Sequence, residues 1–128
     1  MHLVDTNVLV RFLVKDNLPQ FEQSKKWFQE AEMGKRKLLI SVVVIAEVCY
    51  VLESVYNTKR SEIARVLEAF LEQTWFEVEN REVLLSLWED YTSGLHFVDS
   101  YLIAWSKMNE GGILTFDRQL SKHITHLP

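Results

Sequence analysis

The segment from Leu38 to Leu52 reads LLISVVVIAEVCYVL, and Glu47 is its only charged residue. A carboxylate that leaves water without a partner costs several kcal/mol or takes up a proton. The fold must therefore turn Glu47 to the surface or supply a positive charge beside it. Three other acids, Asp5, Asp99 and Asp117, lie just after a predicted strand or at the start of a predicted helix. We predict that these four carboxylates converge and bind a divalent metal ion.

Composition and length are those of an ordinary globular protein. The 128 residues are 48% hydrophobic and 25% charged, which argues against disorder and predicts a single domain over residues 1–128. We expect no membrane helix, because no apolar run approaches ~20 residues. We also expect no secretory signal, because the start MHLVDTN has no basic stretch before an apolar one. Cys49 is the only cysteine, and the absence of an internal disulfide favours a cytoplasmic protein. The net charge of −4 argues against nucleic-acid binding through bulk positive charge.

Short apolar segments alternate with segments of helical periodicity along the chain. Strands are predicted at Leu3-Val4, Leu38-Leu39-Ile40, Trp75–Val78 and Ile113–Thr115, and the C-terminal tail is a candidate edge strand. Helices are predicted at about residues 7–14, 20–33, 42–55, 61–72, 81–93 and 97–108, with a short one after 117. Ser41 is predicted as the N-cap of the third of these helices. Buried parallel strands joined by helices carry helices on both faces of the sheet. The pattern therefore predicts an α/β protein, a three-layer α/β/α sandwich around a mostly parallel sheet of four or five strands.

The four acids fall at one predicted edge of this sheet. Asp5 follows the first strand, Glu47 lies about one and a half helical turns after the second, and Asp117 follows the fourth. Asp99 lies in the first turn of the helix that begins at Phe97. Ligands of open parallel sheets bind outside the carboxyl ends of the strands. Clustered carboxylates repel one another unless a cation joins them, and a set without His or Cys suits Mg²⁺ or Mn²⁺.

Each acid also has a structural interpretation. Asp5 and Asp117 stand where a helix N-cap is expected, and Asp99 in a first turn would gain from the helix dipole. Glu47 lies in mid-helix and cannot cap, but a narrow surface stripe would accommodate its charge. The joint placement of the four acids favours a metal site, whereas no single residue decides between the two interpretations.

Four short motifs contain these acids. They are, in chain order, DTNVLV from Asp5, SVVVIAEV from Ser41, FVDSYLIAWS from Phe97 and LTFDRQL from Leu114. In this order, and over this α/β pattern, the chain resembles the PIN domain family, and more closely the VapC-type ribonuclease toxins of prokaryotic toxin–antitoxin pairs. The resemblance spans nearly the whole chain.

The resemblance implies a PIN-like fold and an endoribonuclease that uses Mg²⁺ or Mn²⁺. The positions that match the acidic residues of the family are Asp5, Glu47 and Asp99 as the core acids and Asp117 as a more variable fourth acid. Thr6, Asn7 and Thr115 match polar positions that steady the acids. Such a role is chemically sensible, because a carboxylate that binds a metal needs its other oxygen held.

The resemblance also implies partners. These are an RNA substrate, a VapB-type antitoxin whose C-terminal tail occupies a groove between helices, and either a homodimer or a hetero-oligomer with the antitoxin. Candidate RNA contacts in this sequence are Arg11, Lys15 and the Lys35-Arg36-Lys37 cluster. Two alternatives stay open, a non-catalytic PIN-like binding module and a metal-dependent phosphatase or phosphotransferase with Asp5 as nucleophile. Haloacid-dehalogenase-type enzymes typically have an acid two positions after the nucleophile, where this chain has Asn7.

Overall fold

The computed structural model describes residues 1–123. The chain divides into two compact units, Met1–Asn80 and Arg81–Pro128. The candidate edge strand in the C-terminal tail falls largely outside the described residues. Within residues 1–123 no helix is long and apolar enough to cross a membrane.

The first unit is built on a parallel sheet. Its strands are β1 (His2–Leu3), β2 (Leu38–Ile40) and β3 (Glu77–Val78). They pair in the order β1-β2-β3. Backbone hydrogen bonds from Val4 N to Leu39 O (3.0 Å) and from Glu79 N to Ile40 O (2.9 Å) extend the pairing beyond the strands. β2 is the central strand, which explains why its sequence is apolar throughout.

Four helices complete the first unit. They are α1 (Thr6–Val14), α2 (Leu18–Glu32), α3 (Val42–Ser54) and α4 (Arg60–Leu71). The predicted cap of α3 is confirmed, because the Ser41 hydroxyl accepts a hydrogen bond from Val44 N at 3.3 Å. The α2 helix begins earlier than predicted, since Asn17 caps it by accepting from Gln20 N at 3.2 Å. The side chains buried most completely in this unit include Leu9, Ile40, Ile45, Val48, Ile63, Leu67 and Leu71.

The second unit is helical within its described part. Its helices are α5 (Arg81–Ser86), α6 (Trp88–Thr92), α7 (Phe97–Asn109) and α8 (Arg118–Ser121). The single helix predicted between Asn80 and Gly94 is thus two helices that meet at Leu87. The Ser86 hydroxyl donates to the Val83 carbonyl at 3.0 Å, and such side-chain bonds compete with the helical ladder. Trp88 then packs against Tyr91 and Phe97, with ring centroids 5.6 and 6.2 Å away.

The α7 helix ends in a tight turn. Glu110 adopts a left-handed conformation with φ 51°, and Gly111 N donates to Ser106 O at 3.0 Å. A Cβ at Gly111 would lie 2.7 Å from the Trp105 ring. A side chain at Gly111 would therefore require the Trp105 ring to move.

The prediction of a fourth strand at Ile113–Thr115 is wrong, because these residues are not part of the sheet. Within residues 1–123 the sheet has three strands rather than four or five. The side chains of Leu114 and Phe116 are fully exposed, and Asp117 N donates to Thr115 Oγ1 at 3.0 Å. A short apolar run forms a strand only where another strand offers its backbone groups, and local sequence does not reveal that partner. The α/β class and the parallel sheet are confirmed.

Candidate active site

Asp5 stands between β1 and α1 with its side chain exposed. Its backbone carbonyl accepts hydrogen bonds from Val8 N and Leu9 N at 3.1 and 3.4 Å. Although Asp5 occupies the N-cap position, its side chain makes no capping hydrogen bond. An N-cap carboxylate normally accepts from the second or third helical N–H. The carboxylate of Asp5 is therefore available for another ligand.

Glu47 lies on the outer face of α3. Val43 is 73% exposed and Tyr50 is 65% exposed, and their spacing of four and three residues places them on the same stripe as Glu47. Ile45 and Val48 lie on the opposite, fully buried face. The fold thus accommodates this charge in an apolar segment by turning it to the surface. The Glu47 carboxylate makes no hydrogen bond or ion pair with any residue between 1 and 123.

The two acids of the second unit differ from each other. Asp99 is half-buried in the first turn of α7, and its side chain has no polar partner in the described part of the chain. Asp117 caps α8, because its Oδ1 accepts from Gln119 N at 2.8 Å and from Leu120 N at 3.2 Å. The capping interpretation is therefore confirmed for Asp117. Its Oδ2 takes no part in these bonds.

The acids are divided between the two units. Asp5 and Glu47 belong to the first, where they follow the adjacent parallel strands β1 and β2. Asp99 and Asp117 belong to the second. Among residues 1–123, no group of three or more His, Cys, Asp or Glu side chains has the arrangement of a metal site. The meeting of all four acids in one pocket stays a prediction.

The polar residues predicted to steady the acids lie beside them in the chain. Thr6 opens α1 half-buried, and Asn7 follows it with its side chain exposed. Thr115 accepts the hydrogen bond from Asp117 N at 3.0 Å, so it holds the backbone of that acid. No side-chain hydrogen bond joins Thr6 or Asn7 to Asp5 within the described residues.

Glu79 is a further acid at the carboxyl edge of the sheet, which the sequence interpretation missed. It follows β3 directly, and its Oε1 accepts a hydrogen bond from Val42 N at 2.8 Å. This bond fixes the start of α3, the helix that carries Glu47. An acid immediately after a predicted strand is the same signal that marked Asp5, so the sequence contained the information.

Arg11, a candidate RNA contact, is instead part of a polar network. The Arg11 network consists of Arg11, Asp16, Gln20 and Tyr56. Arg11 Nε donates to Gln20 Oε1 at 2.8 Å, and Arg11 Nη1 donates to Asp16 Oδ1 at 3.0 Å. Hydrogen bonds from the Tyr56 hydroxyl and from Arg11 lower the pKa of Asp16, and the bond to Asp16 raises the pKa of Tyr56. The guanidinium is therefore largely engaged within the protein.

An open groove of about 490 Å³ lies between α1, α2 and the segment before β3. Its aromatic lining consists of Phe12, Phe21, Phe28, Trp75 and Phe76. The ammonium groups of Lys15 and Lys25 lie 5.3 and 6.0 Å from the Phe21 ring centroid, and Glu32 also lines the groove, so the charged residues around it are two lysines and one acid. A groove with an apolar lining and a charged rim is typical of sites that bind a peptide segment.

Comparison with known proteins agrees with the motifs. The family model for the PIN domain matches residues 2–124. A VapC ribonuclease of Aquifex aeolicus (strain VF5) is 35% identical over 79 residues, which are 62% of this chain and 58% of that relative. The match thus spans less than two thirds of the relative's length. No solved structure matches the chain significantly. Because the family match covers nearly the whole sequence, this chain belongs to the PIN domain family.

Proposed function

We propose that this protein is a metal-dependent endoribonuclease, the VapC-type toxin of a toxin–antitoxin pair. Membership of the PIN family and similarity to a VapC ribonuclease support a nuclease. The observation that carries the proposal is that Asp5, Glu47 and Asp99, the acids of the PIN-like motifs, have no polar side-chain partner within residues 1–123. By contrast, Asp16 and Glu30 are paired with arginines at 3.0 and 2.8 Å. The three core acids therefore keep their oxygens available for a cation.

The donor set fits Mg²⁺ or Mn²⁺. These hard cations prefer oxygen ligands, and the proposed ligands are all carboxylates. Asp5, Glu47 and Asp99 would hold the ion directly. Asp117 uses Oδ1 as a helix cap, so it would contribute through its other oxygen or through water. The family match runs through both units, which supports a single domain with helices on both faces of the sheet and with all four acids in one site.

The chemistry follows from these residues. When bound, the metal would polarise a non-bridging oxygen of the scissile phosphate and lower the pKa of the attacking water. Glu47 is exposed and has no polar partner within residues 1–123, so one of its carboxylate oxygens would bind the ion and the other would accept the proton of that water. In-line attack would break the bond between phosphorus and the 3′ oxygen and leave a 5′-phosphate on the downstream fragment.

The partners form part of the same proposal. The aromatic groove beside α1 and α2 would bind the C-terminal tail of a VapB-type antitoxin. A basic side chain of that antitoxin would neutralise the acids and displace the metal. A homodimer, or a hetero-oligomer with the antitoxin, and a cytoplasmic location are consistent with this role.

Cleavage assays with three proteins test the proposal. Purified protein, freed of any copurified antitoxin, is incubated with structured RNAs and Mn²⁺ beside Asp5→Asn and a control, Glu68→Gln, which changes an exposed acid on α4. We expect cleavage by the wild type and the control, and a loss of about 100-fold or more in Asp5→Asn. Release of phosphate from small esters would favour the phosphatase or phosphotransferase. Inactivity with every metal would favour the binding module.

A further inference from the structure

The Arg11 network joins three separate segments of the first unit. Arg11 lies in the last turn of α1, Asp16 lies between α1 and α2, and Tyr56 lies two residues after the end of α3. Arg11 Nη1 donates to both Asp16 Oδ1 (3.0 Å) and Tyr56 Oη (3.2 Å). The Tyr56 hydroxyl donates in turn to Asp16 Oδ2 at 2.8 Å. These three hydrogen bonds close a ring, and the planar guanidinium fixes direction as well as distance.

The sheet fixes the N-terminal ends of α1 and α3, whose C-terminal ends the network joins. At the start of α1, the Asp5 carbonyl accepts hydrogen bonds from Val8 N and Leu9 N. At the start of α3, the Glu79 carboxylate accepts from Val42 N and the Ser41 hydroxyl accepts from Val44 N. Arg11 lies six residues after Asp5, and Tyr56 lies nine residues after Glu47. These separations correspond to roughly 9 and 14 Å along the helix axes. The α1 helix, which follows Asp5, and the α3 helix, which carries Glu47, are therefore each held at both ends.

This arrangement matters more for geometry than for stability. Exposed ion pairs add little to folding, and the side chains of Arg11 and Asp16 are 29% and 41% exposed. A metal site, however, tolerates ligand displacements of only about 0.5 Å, and Mg²⁺ demands a nearly ideal octahedron. A small tilt of α1 against α3 at the network would move Asp5 relative to Glu47 by a comparable distance.

We propose that Arg11, Asp16 and Tyr56 are positioning residues, which set the orientation of α1 against α3 so that Asp5 and Glu47 bind one metal ion. This inference rests on the proposed metal-dependent function. It also offers an alternative to the interpretation of Arg11 as an RNA contact, because Nε and Nη1 of the guanidinium donate to Gln20, Asp16 and Tyr56.

Metal titration of conservative variants tests the inference. Tyr56→Phe keeps the ring and removes the hydroxyl, and Arg11→Lys keeps the charge and removes the planar fork. Arg65→Lys is the matched control, because the Arg65–Glu62 ion pair is exposed and lies within α4. Mn²⁺ binding to metal-free protein is measured by calorimetry, and the thermal midpoint is measured on the same samples.

The two network variants should bind Mn²⁺ about tenfold more weakly, with metal-free midpoints close to that of the wild type. Their RNA cleavage should return to within about threefold of the wild-type rate at saturating Mn²⁺. The control should bind Mn²⁺ like the wild type. If Arg11→Lys does not fold, Tyr56→Phe decides.

Two negative outcomes are distinguishable. A wild-type protein that binds Mn²⁺ and cleaves RNA, beside network variants of equal Mn²⁺ affinity, would overturn the positioning role and leave the proposed function intact. A wild-type protein that neither binds Mn²⁺ nor cleaves RNA would overturn both.

Discussion

The charged side chains at the two ends of α1 differ in whether they have polar partners. At the first end, the Asp5 carboxylate is exposed, caps nothing and has no polar partner within residues 1–123. At the other end, Arg11 and Asp16 are paired at 3.0 Å and both contact the Tyr56 hydroxyl. One helix thus has a satisfied end that serves the fold and an unsatisfied end that suits a ligand. Lack of a partner, together with a place just after a strand of the parallel sheet, distinguishes Asp5 as a candidate ligand from the structural pair at the other end.

The largest expected effect is on the free energy of unfolding, measured with and without Mn²⁺, and it tests whether Asp5 binds a metal. At a Mn²⁺ concentration of 100 times the dissociation constant, the wild type should gain about 2.7 kcal/mol of unfolding free energy. Asp5→Asn should lose most of this gain and, without metal, should be as stable as the wild type or slightly more stable, because one repelling charge is removed. Denaturant titrations with and without Mn²⁺ measure both quantities. Strong destabilisation of metal-free Asp5→Asn would assign Asp5 a structural role instead.

Hydrogen exchange compares Asp5 with Asp117, since both precede a helix but only Asp117 caps through its side chain. Asp117→Ala removes the acceptor of the Gln119 and Leu120 amides, so their exchange should accelerate about fivefold, as expected for a cap of about 1 kcal/mol. Asp5→Ala should leave the Val8 amide unchanged, because that amide is bound to the Asp5 carbonyl. If Asp5→Ala accelerated amide exchange at the start of α1 as much as Asp117→Ala does at the start of α8, both acids would be helix caps and the distinction would fail.

The smallest expected effect is the pH dependence of stability, which tests the pairing of Asp16 in the Arg11 network. The network lowers the pKa of Asp16 below its ordinary value of 3.8. A carboxyl with a lowered pKa contributes stability above its unfolded pKa, and the contribution is lost as pH falls through the folded pKa. The thermal midpoint of the wild type should therefore exceed that of Asp16→Asn near neutral pH, and the two should converge in acid. A constant difference down to the most acidic pH measured would contradict this linkage.

Sequence patterns predicted the elements that depend on local signals. The bounds of β2 were correct because three apolar residues stand between a basic cluster and a capping serine, Ser41. The caps of α3 and α8 were correct for the same reason, since a hydroxyl or carboxylate precedes each helix. The same local signal suggested caps at Asp5 and Asp117, and only the Asp117 side chain makes the capping bonds. The predicted metal role of Asp117 stays a prediction.

Features that depend on distant partners escaped prediction. Ile113–Thr115 contains two adjacent apolar residues that suggested a strand, but it is not paired as a strand in the described part of the chain. The Arg11 network was missed because Tyr56 lies 45 residues from Arg11 in the sequence. No periodicity or spacing reveals such a contact. The break of the predicted helix at Leu87 also escaped prediction, because the apolar periodicity continues across it.

Anomalous scattering from crystals grown with Mn²⁺ is the most direct test of the proposed metal site. We predict a manganese peak bounded by carboxylate oxygens of Asp5, Glu47 and Asp99, with Asp117 in contact directly or through water. Manganese bound elsewhere, with Asp5 and Asp99 on separate surfaces of the protein, would contradict the account.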